Sequence, residues 1–163
     1  MLSSSDVNTD FHEASVAITK DGKTMYFTRD NVNRRNRLSY DNKGTSHLKI
    51  YKATLENGSW ENIKELPFND TVFSTGHPAL SADEKQLFFV SDRDGGIGQT
   101  DIYVVDIIDE DSYSKPRNLG STINTEGREM FPFIAKDSTM YFSSDGYVNL
   151  GLLDIFKSNY IKR

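Results

Sequence analysis

Two pairs of aspartates stand at one spacing: Asp92 with Asp101, and Asp145 with Asp154, nine residues apart in each case. Gly95, Gly96 and Gly98 lie inside the first pair, Gly146 and Gly151 inside the second. Carboxylates flanking such a loop have two uses. They can gather round calcium, which takes about six to eight oxygen ligands. They can instead accept the loop's own backbone N–H groups, charge-assisted bonds worth roughly 1–3 kcal/mol each. Recurrence at the same place in two segments favours the second use; calcium is the one ion these loops invite, and no other cofactor or metal is expected. The stretch GGIGQTD is not a nucleotide loop, because no helix follows it and no Lys or Ser stands where phosphates need one.

The other candidates carry less. His12, His47 and His77 lack the short spacing of metal ligands and are expected to pack or cap locally. No G-x-S-x-G elbow occurs, and the serines fall in turns and strand ends, so no hydrolase triad is expected within this chain. Asp109, Glu110 and Asp111 read as a hairpin tip whose charges water screens. Arg29, Arg34, Arg35, Arg37 and Lys43, with Tyr40 among them, make one long loop basic. In an acidic chain that is weak support for nucleic acid; a protein or polyanion contact, or an inert loop, fits better.

A repeat positions these residues. In the stretch 77–106, a short run with Pro78 near its start is followed by the turn-prone Ala82, Asp83, Glu84 and Lys85. Leu87, Phe88, Phe89 and Val90 then alternate between two faces, so both faces must be covered. After the aspartate loop, Ile102 to Val105 make a third strand. Upstream, Ile18, Asp21, Lys23, Tyr26, Phe27 and Asp30 align with Leu80, Asp83, Lys85, Phe88, Phe89 and Asp92. Downstream, residues 131–146 repeat the pattern with one residue fewer in the turn, and 152–156 match 99–103. The linkers repeat too, VNTDFHE at 7–13 lying over INTEGRE at 123–129. Strand repeats of roughly 40–60 residues indicate propeller blades or a related array.

The expected fold is therefore all-β, a β-propeller of four-stranded antiparallel blades at 7–70, 71–122 and 123–163, the last without its outer strand. Outer strands are expected at 60–66 and 112–119, where Pro116 is tolerable on a free edge. About three blades do not close a ring, which takes about four to eight. The chain is thus expected to be part of a larger, six-bladed or similar, propeller, or to associate through its open blade faces.

Composition agrees with a folded chain: 36% of its 163 residues are hydrophobic and 12% aromatic, enough for a core. A net charge of −5 argues against bulk attraction to nucleic acid or anionic lipid. Cysteine is absent, which removes disulfides, thiolate metal sites and Cys nucleophiles. No run approaches the roughly 18 apolar residues of a membrane span, and residues 1–10 have no signal-peptide core.

The segments HPALSADEKQLFFVSDRDGGIGQTDIY and EMFPFIAKDSTMYFSSDGYVNLGLLDIF resemble the PD-type, WD-like propeller repeats related to those of TolB. KPRNLGSTINTEGREMFPF and LKIYKATLENGSW are similar to the propellers of OmpA-family, outer-membrane-associated proteins of Bacteroidota, including the PorE-like component of type IX secretion and gliding. The resemblance implies a periplasmic, outer-membrane-associated, non-catalytic propeller. Glu84 and Ser138 depart from it, standing where the turn usually has Gly, as do Gln99 and Leu152.

Together these readings point to a binding scaffold rather than an enzyme. Its contacts are placed on the loop rim at Asp92, Arg93, Asp101, Asp145, Tyr147 and Asp154, and its partner is an envelope protein or a peptidoglycan-associated one. The alternative is the propeller of an oligopeptidase-like or tricorn-like protease, or of a sugar lyase, whose catalytic part lies outside this chain.

Overall fold

The computed structural model describes residues 7, 13–33, 35, 37–148 and 150–159. His12, Arg34 and most of the 7–13 echo of the linker lie outside the described residues. The strands form three antiparallel sheets. The first runs β1 (Glu13–Ile18), β2 (Thr24–Asp30), β3 (Leu48–Glu56), β4 (Ser59–Glu65). The second runs β5 (Thr75–Leu80), β6 (Gln86–Ser91), β7 (Asp101–Asp106), β8 (Arg117–Asn118). The third holds β9 (Glu129–Ile134), β10 (Thr139–Ser144) and β11 (Asp154–Asn159). Each sheet is ordered as in the sequence, and β5 packs between β1 and β9. The first strands of successive sheets therefore stand side by side, with the later strands fanning outward.

Alternation decides which residues meet between sheets. Leu87, Phe89, Tyr103 and Val105 leave one face of the second sheet and bury against Tyr26, Ile50, Leu66 and Phe68. Phe88, Val90, Ile102 and Val104 leave the other and bury against Ile134, Met140 and Phe142. Each fully buried Phe or Leu here contributes roughly 1.5–3 kcal/mol, so the sheets are held to one another mainly by these two layers. The repeat extends to ring pairs: Phe27–Tyr51, Phe89–Tyr103 and Phe142–Phe156 have centroids 5.8, 5.9 and 6.1 Å apart.

The turn between first and second strands keeps its left-handed residue and its aspartate in all three sheets, although it is one residue shorter in the third, closed by Ala135 and Thr139 where the others are closed by Thr19 and Thr24 and by Ser81 and Gln86. Gly22, Glu84 and Ser138 occupy its left-handed position, at φ of 70°, 58° and 66°. Asp21, Asp83 and Asp137 accept the backbone N–H two residues on, from Lys23, Lys85 and Thr139. Glu84 and Ser138 thus hold a conformation that glycine would adopt without a Cβ clash.

The linkers are fixed by a side-chain clamp. Asn69 accepts from the Ile50 N–H and donates to the Ile50 carbonyl, and Asn124 does the same to Ile102. Two expectations need correction. The outer strand placed at 112–119 is reduced to Arg117–Asn118 and a bridge between Ile107 and Tyr113. Pro116 has no N–H to offer, and Ser114 Oγ takes the Asp106 N–H that a strand carbonyl would have taken. The hairpin tip 109–111 is not merely solvated. Its Glu110 carbonyl accepts from the buried Lys52 ammonium, and the Asp111 carboxylate reaches Lys52 at 3.3 Å and Lys64 at 2.6 Å.

Candidate functional site

Each first strand carries a bulge at the same place. Pairing with the second strand slips between Ala14 and Val16 in β1, between Gly76 and Ala79 in β5, and opposite Tyr141 and Ser143 in β9. The bulged residues Ser15, His77 and Phe131 have φ of 43°, 54° and 53°. A left-handed conformation costs an L-residue roughly 1–2 kcal/mol, and three such residues at one repeat position are strain that the surrounding sheets enforce. A bulge re-aims its side chain. Here the three are aimed at one another: Ser15 Oγ lies 2.7 Å from His77 Nδ1, and the His77 ring meets the edge of the Phe131 ring with centroids 4.4 Å apart.

The row is anchored from the first sheet, where Thr28 Oγ1 accepts the His77 N–H at 2.9 Å. Gly76 makes that approach close, since a Cβ there would lie 3.2 Å from the Thr28 methyl. Burial pushes the His77 imidazole below its ordinary value, so it is neutral near pH 7. Its hydrogen bond to Ser15 uses one ring nitrogen. A Ser–His pair is the first half of a nucleophile–base relay, but no carboxylate of the described residues is bonded to this imidazole to orient it. What the row offers is a hydroxyl, a neutral imidazole and a half-exposed phenyl face, a mixed polar and aromatic surface suited to binding.

Thr75 pairs with Ser91 and Glu129 with Ser144 at the end of the sheets from which loops 92–100 and 145–153 project, and the row lies two residues in from that end. The residues singled out in the sequence therefore surround the same end, though most are engaged in holding loops. Asp101 is fully buried and accepts from the Ile97 and Gly98 N–H groups at 2.5 and 3.1 Å and from Asn118 Nδ2 at 2.8 Å. Asp154 accepts the Leu150 N–H of its own loop at 2.6 Å, whereas Asp92, expected to do the same, accepts the Ser74 N–H of the preceding linker at 2.6 Å. Asp145 takes the Arg128 N–H and Nε at 2.7 and 2.8 Å, and those bonds hold its carboxyl below the usual range. The Tyr147 hydroxyl donates to the Ile123 carbonyl at 2.8 Å. Among the described residues, no group of three or more His, Asp or Glu is placed to hold a metal ion.

Arg93 differs from these. Its guanidinium lies over the rings of Phe73, Phe89 and Tyr103, 4.8–5.1 Å from their centroids, and donates to Ser91 Oγ and the Phe68 carbonyl. It borders a groove of about 360 Å³ shared with Asn69, Tyr113 and Lys115. Of the residues expected in the basic loop, Arg29 lies instead in β2 and is buried with its guanidinium 4.4 Å from the Tyr51 centroid, which removes it from any polyanion surface. The sequence alone does not mark Ser15, His77 and Phe131 as a set, although they share one column of the repeat, because three unlike residue types carry one backbone state.

No family model and no curated protein matches this chain. Solved structures do. TolB from Acinetobacter baumannii superposes with a TM-score of 0.54 at 18% identity, over 92% of this chain and 30% of that one. A puromycin-hydrolyzing peptidase from Mycobacterium tuberculosis gives 0.57 at 16% identity, over 92% of this chain and 22% of that one. The three sheets are propeller blades. The chain spans about a third or less of the length of these solved structures, and at such identities the likeness carries the TolB-like propeller fold alone.

Proposed function

We propose that the chain belongs to a non-catalytic propeller that binds a protein partner at its axial mouth. The observation that carries this is the row of Ser15, His77 and Phe131, three strained residues held at one repeat position and turned toward one another. Strain kept in every blade has a use that stability alone does not supply. Asp92, Arg93 and Tyr147 extend the contact outward along the loop rim. The likeness to TolB and the resemblance of the repeat segments to envelope propellers support a periplasmic, outer-membrane-associated setting. Within it the partner is an envelope protein or a peptidoglycan-associated one, with type IX secretion as the specific pathway the resemblance suggests. No cofactor enters this reading, and chelating calcium is expected to leave the melting temperature unchanged.

The test immobilises the full chain and exposes it to envelope extract. The wild-type chain is expected to retain a specific protein that a His77→Ala, Phe131→Ala double variant, checked for folding by circular dichroism, releases. Retention unaffected by the double variant would refute the axial site. The second reading, a propeller serving a peptidase, is favoured by the puromycin-hydrolyzing neighbour. It requires a hydrolase module encoded next to this chain, which the adjacent coding sequence shows directly.

A further inference from the structure

Among the described residues, Arg93 is a half-buried cation without an ion-pair partner. Its Nε donates to Ser91 Oγ and its Nη2 to the Phe68 carbonyl and Thr75 Oγ1, all neutral acceptors, and three rings lie against the guanidinium. Nη1 has no partner among the described residues. The two nearby acids act on it only from a distance, because Asp92 holds the Ser74 N–H and Asp70 the Thr71 and Val72 N–H groups. Burial disfavours the charged form and lowers the pKa of the guanidinium. A cation held this way costs stability that a bound anion would recover.

The groove of about 360 Å³ beside Arg93 has the chemistry to hold that anion. It lies between the linker at 67–73 and the segment 113–116, where Pro116 and the Ser114 bond interrupt the outer strand of the second sheet. Pro67, Phe73, Tyr113 and Pro116 supply apolar walls, and Lys115 adds a second cation, exposed and likewise without an ion pair among the described residues. Two cations against the single carboxylate of Asp70 make this groove positive in a chain of net charge −5. We infer that the groove binds an acidic peptide segment, the carboxylate of an Asp or Glu side chain lying between Arg93 and Lys115 and its apolar neighbours against the walls. Because Nε and Nη2 are occupied, Arg93 has no bidentate fork left for a phosphate, which favours a singly charged carboxylate. Both cations are side chains rather than a nest of backbone N–H groups, which suits an internal acidic residue over a chain terminus. The inference is independent of the axial mouth, since neither His77 nor Phe131 lines the groove.

The test passes the full chain over an array of peptides, capped at both ends, in which one Glu or Asp is flanked by Pro, Phe, Tyr or Leu. Members of the array are expected to bind, and each to weaken at least about tenfold when its acid is replaced by Gln or Asn. Lys115→Glu, on an exposed side chain, is expected to weaken the unchanged peptide as much, and Arg93→Gln to abolish its binding. NMR shifts on binding are expected at Phe73, Arg93 and Tyr113, and the His77→Ala, Phe131→Ala variant is expected to bind as the wild type does. Absence of binding by every peptide at about 1 mM overturns the inference. So does equal binding of the Gln and Asn counterparts, which would leave apolar contact alone. Tighter binding of a phosphotyrosine peptide, or of a neutral peptide with a free C-terminal carboxylate, would assign the groove to that ligand and overturn it. Shifts centred on Ser15, His77 and Phe131 would move the peptide to the axial row and overturn it equally.

Discussion

Replacing Ser138 by glycine should make the protein more stable, although it deletes a side chain. Ser138 sits at φ of 66°, where an L-residue pays roughly 1–2 kcal/mol. Glycine removes that cost but gives the unfolded chain more freedom, worth about 0.4–1 kcal/mol. The difference is a stabilisation of about 0.5–1 kcal/mol. Glu84→Gly relieves the same strain at φ of 58° but loses the carboxylate that accepts the Lys20 N–H across the first two blades, so it should come out near neutral. Gly22→Ala introduces the strain where it is absent and should cost about 1 kcal/mol. Equilibrium urea unfolding, with m unchanged across the series, measures all three. An order other than Ser138→Gly above wild type, Glu84→Gly beside it and Gly22→Ala below would refute the claim that these residues share one backbone state.

Gly98→Ala should destabilise by about 1–3 kcal/mol in the same assay, because its Cβ would collide with the Thr125 and Gly127 carbonyls of the neighbouring linker. Lys52→Ala should cost about 1–3 kcal/mol, since it strips the charge-assisted bonds between the first blade and the tip of the second; an unchanged midpoint would show that the tip does not latch. Asp41 carries a pH signature: the Thr45 N–H, then His47, hold its carboxyl at about 2, below its ordinary 3.8. A folded value below the unfolded one stabilises fully above pH about 4 and loses that contribution as pH falls through about 2. Carboxyl NMR should therefore place its midpoint near 2, and a midpoint near 3.8 would show that those bonds are absent.

Blade architecture was legible because Leu87, Phe88, Phe89 and Val90 need cover on both sides and because Asp21, Asp83 and Asp137 mark the same turn three times. The loop-holding role of Asp101 and Asp154 was readable for the same reason, a carboxylate followed or preceded by N–H groups at fixed spacing. The hairpin tip was not. The partners of Asp111 lie 47 and 59 residues away, and only the stacking of blades brings Lys64 and Lys52 to it. The shortened β8 was hidden similarly, because Pro116 announces an edge but not that Ser114 Oγ will replace the ladder bond. The axial row was concealed by its chemistry: a serine, a histidine and a phenylalanine suggest nothing in common until their φ values coincide.

Blades radiating from adjacent first strands place one contact between residues far apart in sequence, the rings of His77 and Phe131 with centroids 4.4 Å apart. Nuclear Overhauser spectroscopy on the chain in solution detects that contact directly. Cross-peaks between the His77 imidazole protons and the Phe131 ring, together with one from His77 to the Ser15 β-protons, are the expected result. Their absence in a folded sample would mean that the first strands do not share an axis, and the propeller and its binding mouth would both be contradicted.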